Sequence, residues 1–252
     1  MNFKKTAKRY FNQFYAYYIY GVYRRRLLKK LYIPKEQKDI DWKEINTITS
    51  NLFEIKDENW CYIKHIHDIA FCERLGMTRI YEENECTVPR VMFIDQGIKV
   101  ESCERQSNRW IFMKSKRSFG DTYAIEFDVV LDSIFTEFQF AFNYESIMNR
   151  KRFMVVDNEK LVFGTVEKGS FITLKETPMH FNIAEKNTIR IEIIKDSFYY
   201  YVNGKIIMAV QLIGKTANEN QRWCLIFWES GDVRPIKATL SNFKYYTPRV
   251  LC

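Results

Sequence analysis

From about Asn51 almost to the C-terminus, apolar residues recur at every second position. Side chains of an extended strand point alternately to its two faces, so a period of two marks chain with one face in a core and the other in water. Tyr123 to Asp132, YAIEFDVVLD, sets Ile125, Phe127, Val129 and Leu131 against Glu126, Asp128, Val130 and Asp132. Phe135 to Tyr144, FTEFQFAFNY, repeats the arrangement with Phe138, Phe140 and Phe142 against Glu137, Gln139 and Asn143. A further apolar run, Arg152 to Asp157, ends at Asp-Asn before LVFGTV resumes, which predicts a hairpin.

The densest case is Asn187 to Val210, NTIRIEIIKDSFYYYVNGKIIMAV. Ile189, Ile191 and Ile193 oppose Arg190 and Glu192, Lys195-Asp196-Ser197 turns the chain, and Asn203-Gly204 turns it again. Asn-Gly suits a two-residue hairpin because both residues tolerate the positive φ that such a turn demands. RWCLIFWES and IKATLSNFKYY then supply two closing strands. Strands at intervals of 8 to 12 residues with no helical pattern between them predict an all-β, two-layer antiparallel sandwich.

Charge divides the chain in two. The net charge is +8, yet ten cations from Lys4 to Lys35 precede the first acid, Glu36, which leaves the remainder at −2. Residues 3 to 20 have helical spacing, with Phe3, Ala7, Tyr10, Phe14, Tyr17 and Tyr18 on one side and Lys4, Lys5, Lys8 and Arg9 on the other. Gly21 is expected to break this amphipathic helix before Arg24, Arg25 and Arg26, and Pro34 to close the segment. Residues 35 to 47 read as a polar connector, so the expected units are 1–47, a basic aromatic helix and connector, and 48–252, the sandwich.

The run YFNQFYAYYIYGVY is too short and polar to span a bilayer, lacks a small-residue cleavage site and runs into three arginines. No cleaved signal peptide is expected, and the six cysteines, at 61, 72, 86, 103, 224 and 252, form no CxxC pair. Reduced thiols and a cytoplasmic, peripheral-membrane location follow as expectations. The leader's candidate partners are an anionic membrane surface or a protein, through Lys4, Lys5, Lys8, Arg9, Arg24, Arg25 and Arg26; packing onto its own sandwich ranks next, and nucleic acid last, since the rest of the chain adds no basic surface.

The succession of RWIFMKSKRSFGDTYAIEFDVVL, the YVNG meander and the closing LIFWESGDVRPIKATLSNFKYY resembles the concanavalin A-like lectin/glucanase superfamily, a jelly-roll group that includes laminin G-like domains. The resemblance covers about residues 100 to 247. It implies a sugar-binding, sugar-cleaving or purely structural module, because that fold carries all three.

Superfamily members resembling laminarinases cleave glycans with acids at alternate positions of one strand, the two essential carboxyls ~5 Å apart. Glu126-Phe127-Asp128 begins that way, but the next acid, Asp132, lies ~13 Å beyond Asp128 at strand rise. The catalytic candidates are therefore Glu126 and Asp128 with a further acid such as Glu137, and an ordinary solvated strand face explains the first two better. The functional expectation is a non-catalytic glycan surface on which Glu126, Asp128, Glu137, Gln139, Asn143, Arg190, Glu192, Arg222 and Trp228 meet, polar groups taking hydroxyls and an aromatic ring stacking on the sugar, against the plain alternative that this side is only wet sheet. Such a binder would fit polysaccharide or glycoconjugate assembly at a membrane. The alternatives are a divergent glycoside hydrolase and a protein-assembly module that never touches sugar.

CYIKHIHDIAFC gathers Cys61, His65, His67, Asp68 and Cys72, but the cysteines differ in parity and cannot converge from one regular strand, so no metal site is expected there. Calcium, common among lectins of the superfamily, would need an oxygen-rich loop, for which Asp157-Asn158-Glu159 and Glu229-Ser230-Gly231-Asp232 are the candidates. No other cofactor is expected. Glycine-rich phosphate loops, Gly-x-Ser-x-Gly and HExxH are absent from the sequence, which disfavours nucleotide enzymes, and His180 stands alone as a structural residue.

Overall fold

The computed structural model describes residues 21–34, 39–45, 53–55, 90–94, 97–101, 109–115, 120–132, 137–146, 149–167, 170–213, 222–229 and 237–249. Sixteen strands lie among them. The first four are β1 (Leu31–Tyr32), β2 (Trp42–Ile45), β3 (Phe53–Ile55) and β4 (Arg90–Ile94). Next come β5 (Gly97–Glu101), β6 (Arg109–Ser115), β7 (Thr122–Leu131) and β8 (Glu137–Ser146). They are followed by β9 (Asn149–Val156), β10 (Lys160–Glu167), β11 (Ser170–Pro178) and β12 (Lys186–Ile194). The chain closes with β13 (Ser197–Val202), β14 (Lys205–Leu212), β15 (Arg222–Glu229) and β16 (Lys237–Pro248).

They form two antiparallel sheets. The nine-stranded sheet has the order β1-β14-β13-β12-β7-β16-β5-β4, with β2 added beside β16, and the seven-stranded sheet has the order β11-β10-β9-β8-β15-β6-β3. The expected all-β sandwich is the observed fold. Alternation explains why: Ile125, Phe127 and Val129 of β7 and Ile189, Ile191 and Ile193 of β12 turn into the core, opposite Phe138, Phe140 and Phe142 of β8. The core is aromatic at its centre, where Phe142 lies 4.9 Å from Phe198 of the other sheet and 5.6 Å from Phe153, ring centroid to ring centroid. Each such ring, fully buried, contributes roughly 1.5–3 kcal/mol.

The turns follow their local chemistry. Asn203 and Gly204 both have positive φ (51° and 76°) and join β13 to β14 with Val202 opposite Lys205, the geometry that the Asn-Gly pair predicts. Asn203 also fixes the turn to β12, because its Oδ1 accepts from the Thr188 N–H at 2.8 Å while its own N–H donates to Thr188 O at 2.8 Å. Asp157 and Asn158, also at positive φ, make the predicted β9–β10 hairpin.

The N-terminal part departs from expectation in three ways. Residues 21–28 are helical, so Gly21 and the three arginines lie within helix, which ends well before Pro34. Leu27 and Leu28 turn to the sandwich core, and Arg24 turns inward with them: its Nε donates to Thr173 O of β11 at 2.9 Å. The expected connector supplies β2, whose Trp42 and Glu44 pair with Pro248 and Tyr246 of β16. Its missed signal is Ile40 and Trp42 alternating with Asp39, Asp41 and Lys43. Lys4, Lys5, Lys8 and Arg9 lie outside the described residues, as does the cluster from Cys61 to Cys72.

Candidate functional site

The surface expected to gather nine residues is divided between the sheets. Glu126 and Asp128 (β7) with Arg190 and Glu192 (β12) belong to the nine-stranded sheet, whereas Glu137, Gln139 and Asn143 (β8) with Arg222 and Trp228 (β15) belong to the seven-stranded one. The reason is topological: β7 and β8 are consecutive in sequence, but the chain changes sheets between them. Two strands in facing sheets can show identical alternation while their polar sides point in opposite directions.

On the nine-stranded sheet the four residues do meet. Antiparallel register sets Glu126 between Arg190 and Lys244, and Arg190 between Glu126 and Tyr201. Arg190 reaches Glu192 through Nε at 2.9 Å and Glu126 through Nη1 at 3.3 Å. Lys244 Nζ lies 3.5 Å from Glu126 Oε1, and the Tyr201 hydroxyl donates to Glu192 Oε2 at 3.1 Å. The guanidinium of Arg190 sits 4.5 Å from the ring centre of Tyr246 and 5.9 Å from that of Trp42, within cation–π reach of both. Burial works against the charge of Arg190, but the bonds to Glu192 and Glu126 outweigh it and raise its pKa. Burial and the neighbouring Glu192 carboxylate push the Tyr201 phenol up, so it stays a donor.

Asp128 is not part of an ordinary solvated face. Only 7% of it is exposed, and its two oxygens accept from Thr188 Oγ1 at 2.6 Å and Asn242 Nδ2 at 2.7 Å, with Lys186 Nζ 3.5 Å away. A bulge in β16 delivers Asn242: between Ser241, opposite Asp128, and Lys244, opposite Glu126, that strand carries one residue more than β7. Asn242 sits at φ 53°, a conformation that asparagine tolerates better than most residues. Burial favours the protonated form of Asp128, yet the hydrogen bonds from Asn242 and Thr188 and the Lys186 ammonium together hold its pKa below the usual carboxylate value.

The seven-stranded sheet presents a different outward face. Gln139, Arg150 and Arg152 are all buried, and Arg150 Nη2 donates to Gln139 Oε1 at 3.3 Å. The guanidinium carbons of Arg152 and Arg150 lie 4.3 and 5.6 Å from the ring centre of Phe171. Gly164, opposite Arg152, has to be glycine, since a Cβ there would stand 2.3 Å from the backbone oxygen of Ile172. Asn143 occupies an irregularity in β8 at φ 49°. Glu137 and Trp228 are paired backbone to backbone.

The expected acids do not share one face, and Asp128 is poorly suited to be the proton donor among them. A general acid needs a carboxyl kept protonated near neutrality, and Asp128 is shifted the other way. Glu137, the expected third acid, belongs to the opposite sheet. Of the two turns expected for calcium, the first is engaged with its own chain, the Asn158 amide donating to Phe181 O at 3.1 Å and accepting from the Phe181 N–H at 2.6 Å, while Ser230, Gly231 and Asp232 of the second lie outside the described residues. His180 Nδ1 bonds Asn158 O at 2.8 Å, in keeping with a structural role. Among the described residues, no group of three or more His, Cys, Asp or Glu side chains converges on a common point.

No protein-family model and no curated protein matches this sequence. Solved structures do match its shape. The carbohydrate-binding module CBM66 from Bacillus subtilis superposes with a TM-score of 0.50 at 14% identity, covering 64% of this chain and 92% of that one. A Bacillus subtilis protein of unknown function with a galectin-like fold gives a TM-score of 0.50 at 9% identity, covering 64% and 88%. At such identities the likeness speaks to fold: the chain is a concanavalin A-like, jelly-roll sandwich.

Proposed function

We propose that the protein is a non-catalytic carbohydrate-binding module whose ligand is a neutral glycan held on the outward face of the nine-stranded sheet. The observation that carries this reading is the half-buried pair Trp42 and Tyr246 beside a charge-balanced set of polar groups. Three carboxylates (Glu126, Asp128, Glu192) pair with three cations (Lys186, Arg190, Lys244), so the face offers both acceptors and donors. Hydroxyls exchange hydrogen bonds with such groups, and indole and phenol rings receive the C–H face of a sugar. The ion pairs hold Glu126 and Arg190 in place before a ligand arrives, which lowers the ordering cost of binding. Likeness in fold to a carbohydrate-binding module supports the same reading.

A glycan array probed with the full chain and with its Trp42→Ala and Trp228→Ala variants tests it. The expected result is binding that Trp42→Ala abolishes and Trp228→Ala, on the opposite sheet, preserves. The reverse pattern would move the site to the seven-stranded sheet. Absence of binding to every neutral glycan would leave the protein-assembly alternative.

A further inference from the structure

We propose that the corner formed by helix 21–28 and strand β1 docks the protein on an anionic lipid surface. The helix is sorted by what each side chain faces. Arg24, Leu27 and Leu28 turn to the sandwich, while Arg25, Arg26, Lys29 and Lys30 are exposed. Lys29 N–H donates to Arg25 O at 3.2 Å, which places these two cations one turn apart on one side. The sequence has no acidic residue before Glu36 to neutralise them.

Apolar groups border the cations. Tyr32 is 49% exposed, Ile33 71% and Ile213 50%, three of the five large hydrophobic side chains exposed among the described residues. The pairing of β1 with the end of β14 brings them to one place: Tyr32 lies opposite Gln211, and Ile213 N–H donates to Lys30 O at 3.0 Å. A dissolved polyanion would use the cations and give the two isoleucines nothing to enter. A charged bilayer surface satisfies both, because anionic headgroups lie directly above acyl carbon. Among the described residues no helix is long and apolar enough to cross a membrane. This docking does not depend on the sugar reading, whose residues sit on β2, β7, β12 and β16.

Flotation of the full chain with vesicles of phosphatidylcholine, alone or mixed with phosphatidylserine, is the test. The protein is expected to float with the mixed vesicles only. Arg25→Gln combined with Lys29→Gln is expected to weaken partitioning about thirtyfold, since each cation near a charged surface is worth roughly fivefold. Ile33→Ser is expected to weaken it severalfold while leaving its salt dependence intact. These side chains are exposed, so thermal melts should match the parent; if the double variant melts early, Arg26→Gln with Lys30→Gln reads the same charge from neighbouring positions. Equal recovery from both vesicle types, or from neither, overturns the proposal. So does tight retention on a single-stranded oligonucleotide that anionic vesicles fail to compete away.

Discussion

The two outward faces of the sandwich are built by the same rule and end in opposite states. On the nine-stranded sheet, charges of both signs bond one another across strands; Asp128 and Glu192 are buried, but Glu126, Arg190 and Lys244 stay open to water. On the seven-stranded sheet, Arg150 and Arg152 are each only 3% exposed and lie against Phe171. Turning away from the core is therefore not the same as facing water. A desolvated guanidinium needs compensating groups, and an aromatic ring together with an amide oxygen supplies part of that compensation. The open face keeps the freedom to exchange partners with a ligand.

The difference can be attacked by substitution, starting from the sealed side. Arg152→Ala removes a buried stem and its stacking on Phe171, and is expected to cost about 3 kcal/mol in urea unfolding. A loss below about 0.5 kcal/mol, the usual limit for a surface position, would show that this face behaves like exposed sheet after all. Asp128→Ala, on the open side, removes an acceptor from Thr188 and Asn242 and is expected to cost about 2 kcal/mol.

Asp128 also sharpens the contrast through pH. Its folded pKa lies below the unfolded value near 3.9, so its stabilising contribution is present above that value and is lost as pH falls through the lower folded one. Asp128→Asn should flatten this part of the acid limb in stability measured from neutrality downward; an unchanged limb would assign it to other carboxylates. The smallest effect belongs to Lys186→Ala. That ammonium is mostly exposed although it lies 3.5 Å from Asp128, and its removal is expected to cost about 0.5 kcal/mol or less, more at low salt than at high.

How much of this was legible in the sequence varies with the range of the interaction. Alternation assigned Ile125, Phe127 and Val129 to the core, and Asn203-Gly204 gave its turn, because both depend on a few neighbouring residues. Alternation says only that Glu126 and Gln139 point away from a core; it carries nothing about which sheet β7 or β8 joins. The bulge at Asn242 is equally silent, since asparagine at positive φ looks in sequence like any polar strand residue. Trp42 was readable in principle, but a four-residue strand in a charged stretch resembles a linker. Arg24 differs from Arg25 and Arg26 only by helical phase, which the break expected at Gly21 removed from consideration.

Strand β1 pairs with the end of β14, strand β2 with the end of β16, and Arg24 reaches β11. The first described segments thus find their seats only on strands made much later, Arg24 on a residue 149 positions further along the chain. At common elongation rates this leaves them waiting for roughly ten seconds or more while the intervening strands are made. Helix 21–28, β1 and β2 would spend that interval without these neighbours, open to chaperones until the later strands arrive.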